Sequence, residues 1–301
     1  MTTAEEWIDR ITSVRRWKRA GERAPHKPLL MLYALAQLQR TGSSSMTYRD
    51  AEGDLIQLLA NYGPANRKSS PAYPFHRLQN DGLWTVTADG EVPGESVTKL
   101  RASGALGQFD PRLEKDLCDS PALILRVAQS LLELNFPESL HEELCAAVGL
   151  DRTGLEISAV KERVLKLKRR DPQFRKIVLV AYEYRCAMCG FDGRMDARSV
   201  GIDAAHLRWW AFDGPDTVDN ALCLCSFHHK LLDTGVLGIT NDHEMTVSAH
   251  FIGTGKAAED LVLNLVGHPL REPQRGQPAP AGEHIHWHVE QVFRGPARVA
   301  A

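Results

Sequence analysis

A chain of 301 residues with 43% hydrophobic content is long enough for one large or two ordinary packed domains. It contains no apolar run of the roughly 18 residues that a membrane span requires, and its start, MTTAEEWIDR, has neither the basic flank nor the apolar stretch of a signal peptide, so a soluble cytoplasmic protein is expected. A net charge of −2 excludes a dominant cationic field, and six cysteines are too few for a disulfide scaffold.

Charge is unevenly distributed along the chain. Arg10, Arg15, Arg16, Lys18, Arg19, Arg23 and Lys27 face a single acid, Glu22, and a second basic run spans Val160 to Lys176. Each is compatible with a solvated helix face or with phosphate contacts. After the first run, Pro28 to Gln39 (PLLMLYALAQLQ) is apolar nearly all round and predicts a buried helix with proline in its first turn. Leu55 to Asn61 predicts another helix. The Pro-, Gly-, Asn- and Ser-containing stretch NYGPANRKSSPAYPFHRLQNDGLW then reads as a long loop, followed by a short strand from Leu83 to Thr87. Helical patterning returns from Pro111 to Val148, with Pro137 inside it.

The pattern turns to charge between Gly149 and Arg170, where Gly and Pro are sparse, which predicts a connecting helix. Pro172 opens a helix to about Tyr184, and a cysteine-rich ββα-like unit follows. REPQRGQPAPAG is expected to be irregular, with HIHWHVEQVF packing back onto the domain. The expected class is α+β: a mixed helical N-terminal domain over 1–150, a basic connecting segment over 151–170 and a second domain over 171–301.

Four cysteines lie between positions 186 and 225, close to several histidines. Cys186 and Cys189 form a C-x-x-C, and Cys225 and His228 form a C-x-x-H, with 36 residues from Cys189 to Cys225. Two such pairs can close one tetrahedral structural zinc site. Cys223 competes with Cys225 for that place, while Cys118 and Cys145 sit in apolar helical contexts. Between the pairs, His206, Asn220 and His229 follow one another at spacings of 14 and 9.

In this arrangement the C-terminal part resembles the zinc-knuckle HNH nucleases, which fold as two strands and a helix around a divalent metal. The resemblance implies a DNA endonuclease. His206 is then the general base that takes a proton from water, Asn220 the residue that orients it, and His229 a ligand of a catalytic divalent metal such as Mg2+ or Mn2+. The sequence departs from the family where many members carry an acidic metal ligand just before the first His: that position is Ala205, and the nearest upstream acid is Asp203. An odd separation from His206 on a strand points Asp203 to the opposite face, which leaves it a weak candidate metal ligand. Asp233 is a weak candidate for orienting a neighbour.

RAPHKPLLMLYAL and AYPFHRLQNDGLW together resemble the sulfur-binding domain joined to HNH nucleases in enzymes that restrict phosphorothioate-modified DNA. That likeness implies a shallow apolar cavity for the non-bridging sulfur, to which Tyr73 and Pro74 could contribute, with His26 and Lys27 facing the charge and Arg19, Arg77 and Arg101 as candidate DNA contacts. A plain packed loop with solvated bases is the competing account. The expected function is a modification-dependent restriction endonuclease acting on double-stranded DNA, with a homodimer the simplest way to cut both strands. The alternatives are an HNH endonuclease for methylated or unmodified DNA and a zinc-stabilised DNA-binding module without catalysis.

Overall fold

The computed structural model describes residues 3–14, 25–65, 69–151, 171 and 173–299. Arg15, Arg16, Lys18, Arg19 and Arg23 of the first basic run lie outside these residues, as does all but Asp151 of the expected connecting segment over 151–170, with most of the second run. The chain divides into two compact units, Met1–Lys168 and Arg169–Ala301.

Helices dominate the first unit. α1 (Ala4–Thr12) starts at a capping box in which Thr3 and Glu6 satisfy each other's backbone N–H. α2 (His26–Thr41) is the expected buried helix; it ends at Gly42, whose φ of 78° supplies the left-handed cap. Strand β1 (Met46–Thr47) leads into α3 (Tyr48–Tyr62), which is capped by Thr47 and starts well before the predicted Leu55. The predicted long loop is partly helical. Its segment Ala72–Arg77 forms α4 and continues as a 3-10 turn over Leu78–Asp81. Pro71 and Pro74, which read as loop signals, fall at the cap and in the first turn of α4, where a missing N–H costs no helical bond.

β2 (Trp84–Thr87), α5 (Val97–Ala102) and β3 (Leu106–Phe109) follow, and the three strands form an antiparallel sheet in the order β1-β3-β2. Across it runs a chain of edge-to-face rings, Tyr48, Phe75, Trp84 and Phe109, with centroids 5.1 to 5.9 Å apart. The helical stretch from Pro111 onward resolves into α6 (Pro111–Asp119), α7 (Pro121–Asn135) and α8 (Glu138–Val148). Asp110 caps α6 and Ser120 caps α7, each followed by a proline at the first helical position.

The second unit opens with α9 (Phe174–Ala181), shorter than predicted, since Glu183 and Tyr184 take left-handed φ values of 53° and 59° and turn the chain into the first cysteine pair. Strands β4 (Arg194–Met195) and β5 (Arg198–Ser199) form a small hairpin. The antiparallel pair β6 (Ile202–His206) and β7 (Ala221–Cys225) with α10 (Ser226–Asp233) gives the ββα arrangement. A further hairpin, β8 (Leu237–Ile239) and β9 (Met245–Val247), is followed by α11 (Lys256–Leu261), the irregular segment up to Ala281 and α12 (Gly282–Gln291). Ile285 and Trp287 of α12 are buried, so this tail packs onto its unit as expected. The described residues therefore make an α+β protein, and none of their helices is long and apolar enough to cross a membrane.

Candidate functional site

The β6–β7 register sets the two ends of the site. Ile202 pairs with Cys225 at one end and His206 with Ala221 at the other. α10 starts directly after Cys225, which keeps its first turn at the cysteine end. Its neighbours His228 and His229, about 100° apart around the axis, meet different surroundings: His228 is fully buried, whereas the His229 side chain keeps 21% of its exposure.

Cys186, Cys189, Cys225 and His228 place one donor atom each within 4.8 Å of the others. The sequence builds this cluster by pinning the first cysteine pair to β7: Cys186 N–H bonds the Phe191 carbonyl and Ala187 N–H the Cys223 carbonyl. The Sγ atoms of Cys186 and Cys225 lie 3.6 and 3.2 Å from His228 Nδ1, and those of Cys189 and Cys225 are 4.0 Å apart. A tetrahedral zinc with ordinary bond lengths has edges of about 3.6 Å (S to N) and about 3.8 Å (S to S), so an ion fits among these donors. His228 Nε2 donates to the Leu261 carbonyl at 2.8 Å, leaving Nδ1 as the lone-pair nitrogen facing the sulfurs. Hydrogen bonds from Cys189 and Cys225 hold the Cys186 thiol well below its usual range. Burial works to lower the His228 pKa, but the Cys186 and Cys225 sulfurs outweigh it and raise it to about 10. The cluster thus favours positive charge between its sulfurs, which a divalent ion supplies. Cys223 faces the core instead, its thiol pushed up to about 12 by burial.

His206 ends β6 with only 8% of its side chain exposed. Its ring stacks on Phe174 of α9 with centroids 4.2 Å apart, and its Nε2 lies 2.9 Å from Asp216 Oδ1. The Asp216 carboxylate also accepts the Asp171 backbone N–H at 2.7 Å through Oδ2. Asn220 does not reach the ring. Its Oδ1 accepts the Arg208 N–H, and its Nδ2 donates to the carbonyls of Arg208 and Pro215, so it closes the loop that runs from His206 to Asp216. Gly214 is required in that loop: a Cβ there would collide with the Arg208 carbonyl and sit 2.9 Å from Asn220 Nδ2. Trp209 and Phe212 of the loop pack on Trp287 of α12 at 6.0 and 5.9 Å. The Asp216 carboxylate is thus the group set against the His206 ring, while the Asn220 amide bonds the backbone of the loop that carries it.

His229 Nε2 is 3.2 Å from Asp233 Oδ2, a buried carboxylate one helical turn on. Asp203 is taken up by Arg175 at 3.6 Å and by Ser226 Oγ at 3.4 Å. Among the described residues, three or more metal-type donors converge at the Cys186 cluster, and Asp203 joins no such group.

In the first unit, the two motifs singled out in the sequence come together. Lys27 in the first turn of α2 pairs with Asp81 at 2.5 Å, and His26 Nε2 lies 2.7 Å from Ser69 Oγ. Tyr73 is exposed, with the Arg77 guanidinium over its ring at 5.2 Å, while Pro74 is buried. Arg77 pairs with Glu95. Arg101, on α5, pairs with Glu52 of α3 at 2.5 Å.

Residues 4–153 match the family model described as the ScoMcrA-like DNA sulfur-binding domain, and residues 186–240 match the model of the HNH endonuclease. The chain joins a DNA sulfur-binding domain to an HNH endonuclease. No curated protein matches it. Among solved structures, the sulfur binding domain of SprMcrA complexed with phosphorothioated DNA is similar at 23% identity over 49% of this chain and 94% of that one, with a TM-score of 0.42. The type IV phosphorothioation-dependent restriction endonuclease ScoMcrA is similar at 21% identity over 48% of this chain and 32% of that one, with a TM-score of 0.40. The modification dependent TagI restriction endonuclease is similar at 25% identity over 49% and 42% of the two chains, with a TM-score of 0.30.

Within the HNH unit, the residue that sequence reasoning missed is Asp216. Its only signal is an acid in the turn-forming stretch DGPD, ten residues after His206. Nothing in the local pattern says that this turn folds back onto the strand end.

Proposed function

We propose that this endonuclease recognises phosphorothioate-modified double-stranded DNA through its sulfur-binding domain and hydrolyses phosphodiester bonds near the mark through its HNH unit. One observation carries the reading: a sulfur-binding domain and an HNH unit whose histidine is held against a largely shielded carboxylate occur in one chain. Sulfur in place of oxygen is larger, softer and a poorer hydrogen-bond acceptor, and the exposed Tyr73 ring suits it. His26, Lys27, Arg19, Arg77 and Arg101 are the groups assigned to the backbone. Pro74 serves this face from underneath, by packing.

In the nuclease unit, Cys186, Cys189, Cys225 and His228 hold a structural zinc. His206 acts as general base and His229 as a ligand of a catalytic Mg2+, Mn2+ or similar ion, whose charge stabilises the scissile phosphate. His206 takes a proton from water as the water oxygen bonds to phosphorus; the bond from phosphorus to the leaving sugar oxygen breaks, and that oxygen is protonated by solvent. Asp203, held by Arg175 and Ser226, serves the strand rather than the metal. Two chains acting together in the cytoplasm would cut both strands.

The test is digestion of one plasmid with and without phosphorothioate, His206→Ala serving as control. Cleavage confined to the modified plasmid and abolished by the substitution is expected. Equal cutting of both plasmids sinks the modification dependence, and methylated plasmid in the same assay identifies a methyl-directed enzyme.

A further inference from the structure

We infer that Asp216 is the positioning residue of the nuclease site, fixing His206 with Nε2–H toward Oδ1 and thereby assigning Nδ1 as the atom that takes the proton from water. This rests on the reading of His206 as the base. An ionised carboxylate only accepts hydrogen bonds, so a ring nitrogen 2.9 Å from Asp216 Oδ1 carries the hydrogen. In a neutral imidazole the other nitrogen, Nδ1, then keeps the lone pair.

Each partner is itself held. The Phe174 ring lies nearly parallel to the imidazole, at 19°, which leaves His206 little freedom to turn. The Asp171 N–H holds Oδ2, and Asn220 holds the carbonyl of Pro215, the residue before Asp216. On α9, the neighbouring Arg175 donates to the Ile202 carbonyl at 2.6 Å and pairs with Asp203. Opposite His206 on β7 stands Ala221, without charge. The carboxylate of Asp216, only 10% exposed, thus places a negative charge directly on this ring. Once Nδ1 has taken the proton, the imidazolium lies beside a fixed anion in a poorly solvated site, where the interaction is stronger than in water. The electron pair of the attacking water becomes the new oxygen–phosphorus bond, and the broken bond leaves with the sugar oxygen.

Full-length Asp216→Asn and Asp216→Ala enzymes test this on phosphorothioated plasmid. The rate should fall about a hundredfold, at the lower end of what a positioned base supplies, with KM unchanged. In Asp216→Asn the acid limb of the kcat profile should move to lower pH, because an imidazolium without its anionic neighbour releases its proton more readily. A wild-type rate with an unmoved limb overturns the inference, as does rescue by raising the divalent metal, which would make Asp216 a metal ligand. Should both variants fail to fold, nitrogen NMR of the wild-type ring decides, with the signal assigned through His206→Gln. A hydrogen on Nε2 is expected, and a hydrogen on Nδ1 overturns the inference. If His206→Ala cuts as fast as wild type, the general-base reading has failed instead.

Discussion

Asn220 is completely buried, and its amide makes three hydrogen bonds to the backbone of Arg208 and Pro215. Asn220→Ala removes all three and strands buried backbone groups, so a loss of about 2–4 kcal/mol in the stability of the second unit is expected by thermal melting, with cleavage lost and DNA binding kept. His229 and Asp233, one turn apart, share one side of α10, so the sequence's faint hint at Asp233 becomes a definite contact. For Cys186→Ser, metal analysis should show loss of bound zinc; full retention would refute the zinc assignment. At His284, burial lowers the imidazole pKa below its usual value, with Glu283 and Asp219 opposing and Arg208 assisting. The folded pKa is therefore below the unfolded one of about 6.5, the unfolded chain binds the proton more readily, and this site favours unfolding as pH falls through and below that value. His284→Gln should accordingly show a smaller drop in melting temperature between about pH 7 and 5 than wild type.

Elements follow from punctuation that is partly legible and partly ambiguous. The breaks in the helical stretch after Pro111 coincide with Asp110-Pro111 and Ser120-Pro121, where polar cap and proline act together. The same residue, proline, misled at Pro71 and Pro74, because a proline in a first turn and a proline in a loop look alike until the following residues are seen to pack. β1 and β3 escaped sequence reading for another reason: two- and four-residue strands carry too little alternation, and their pairing is between residues about 60 apart. The HNH spacing, by contrast, was readable because chemistry restricts the residue types, whereas the carboxylate on His206 depends on where a loop returns. Gly107 of β3 marks the tightest of these pairings. A Cβ there would lie 2.5 Å from Trp84 Cζ2 and 2.7 Å from Phe75 Cζ. Gly107→Ala should destabilise the first unit by about 1–3 kcal/mol in thermal melts, with metal content of the second unit unaltered.

At the scale of the whole chain, two units with separate cores stabilise themselves differently. The first relies on buried helices and its aromatic sheet; the second gathers its first cysteine pair, β7 and α10 around four metal donors. Calorimetry with a strong chelator should lower one unfolding transition and leave the other in place, since bound metal adds its binding free energy to the unit that holds it. Equal displacement of both transitions would show that the cluster does not act locally. The paired cations of the sulfur-binding domain have a different consequence. Lys27, Arg77 and Arg101 each hold a carboxylate of their own chain, Asp81, Glu95 and Glu52. In the proposed reading, a DNA phosphate must displace a tethered rival that never diffuses away. On that reading the chain would carry its own competitive inhibitor against ordinary DNA, and a sulfur seated on Tyr73 would tip a contest that charge alone leaves undecided.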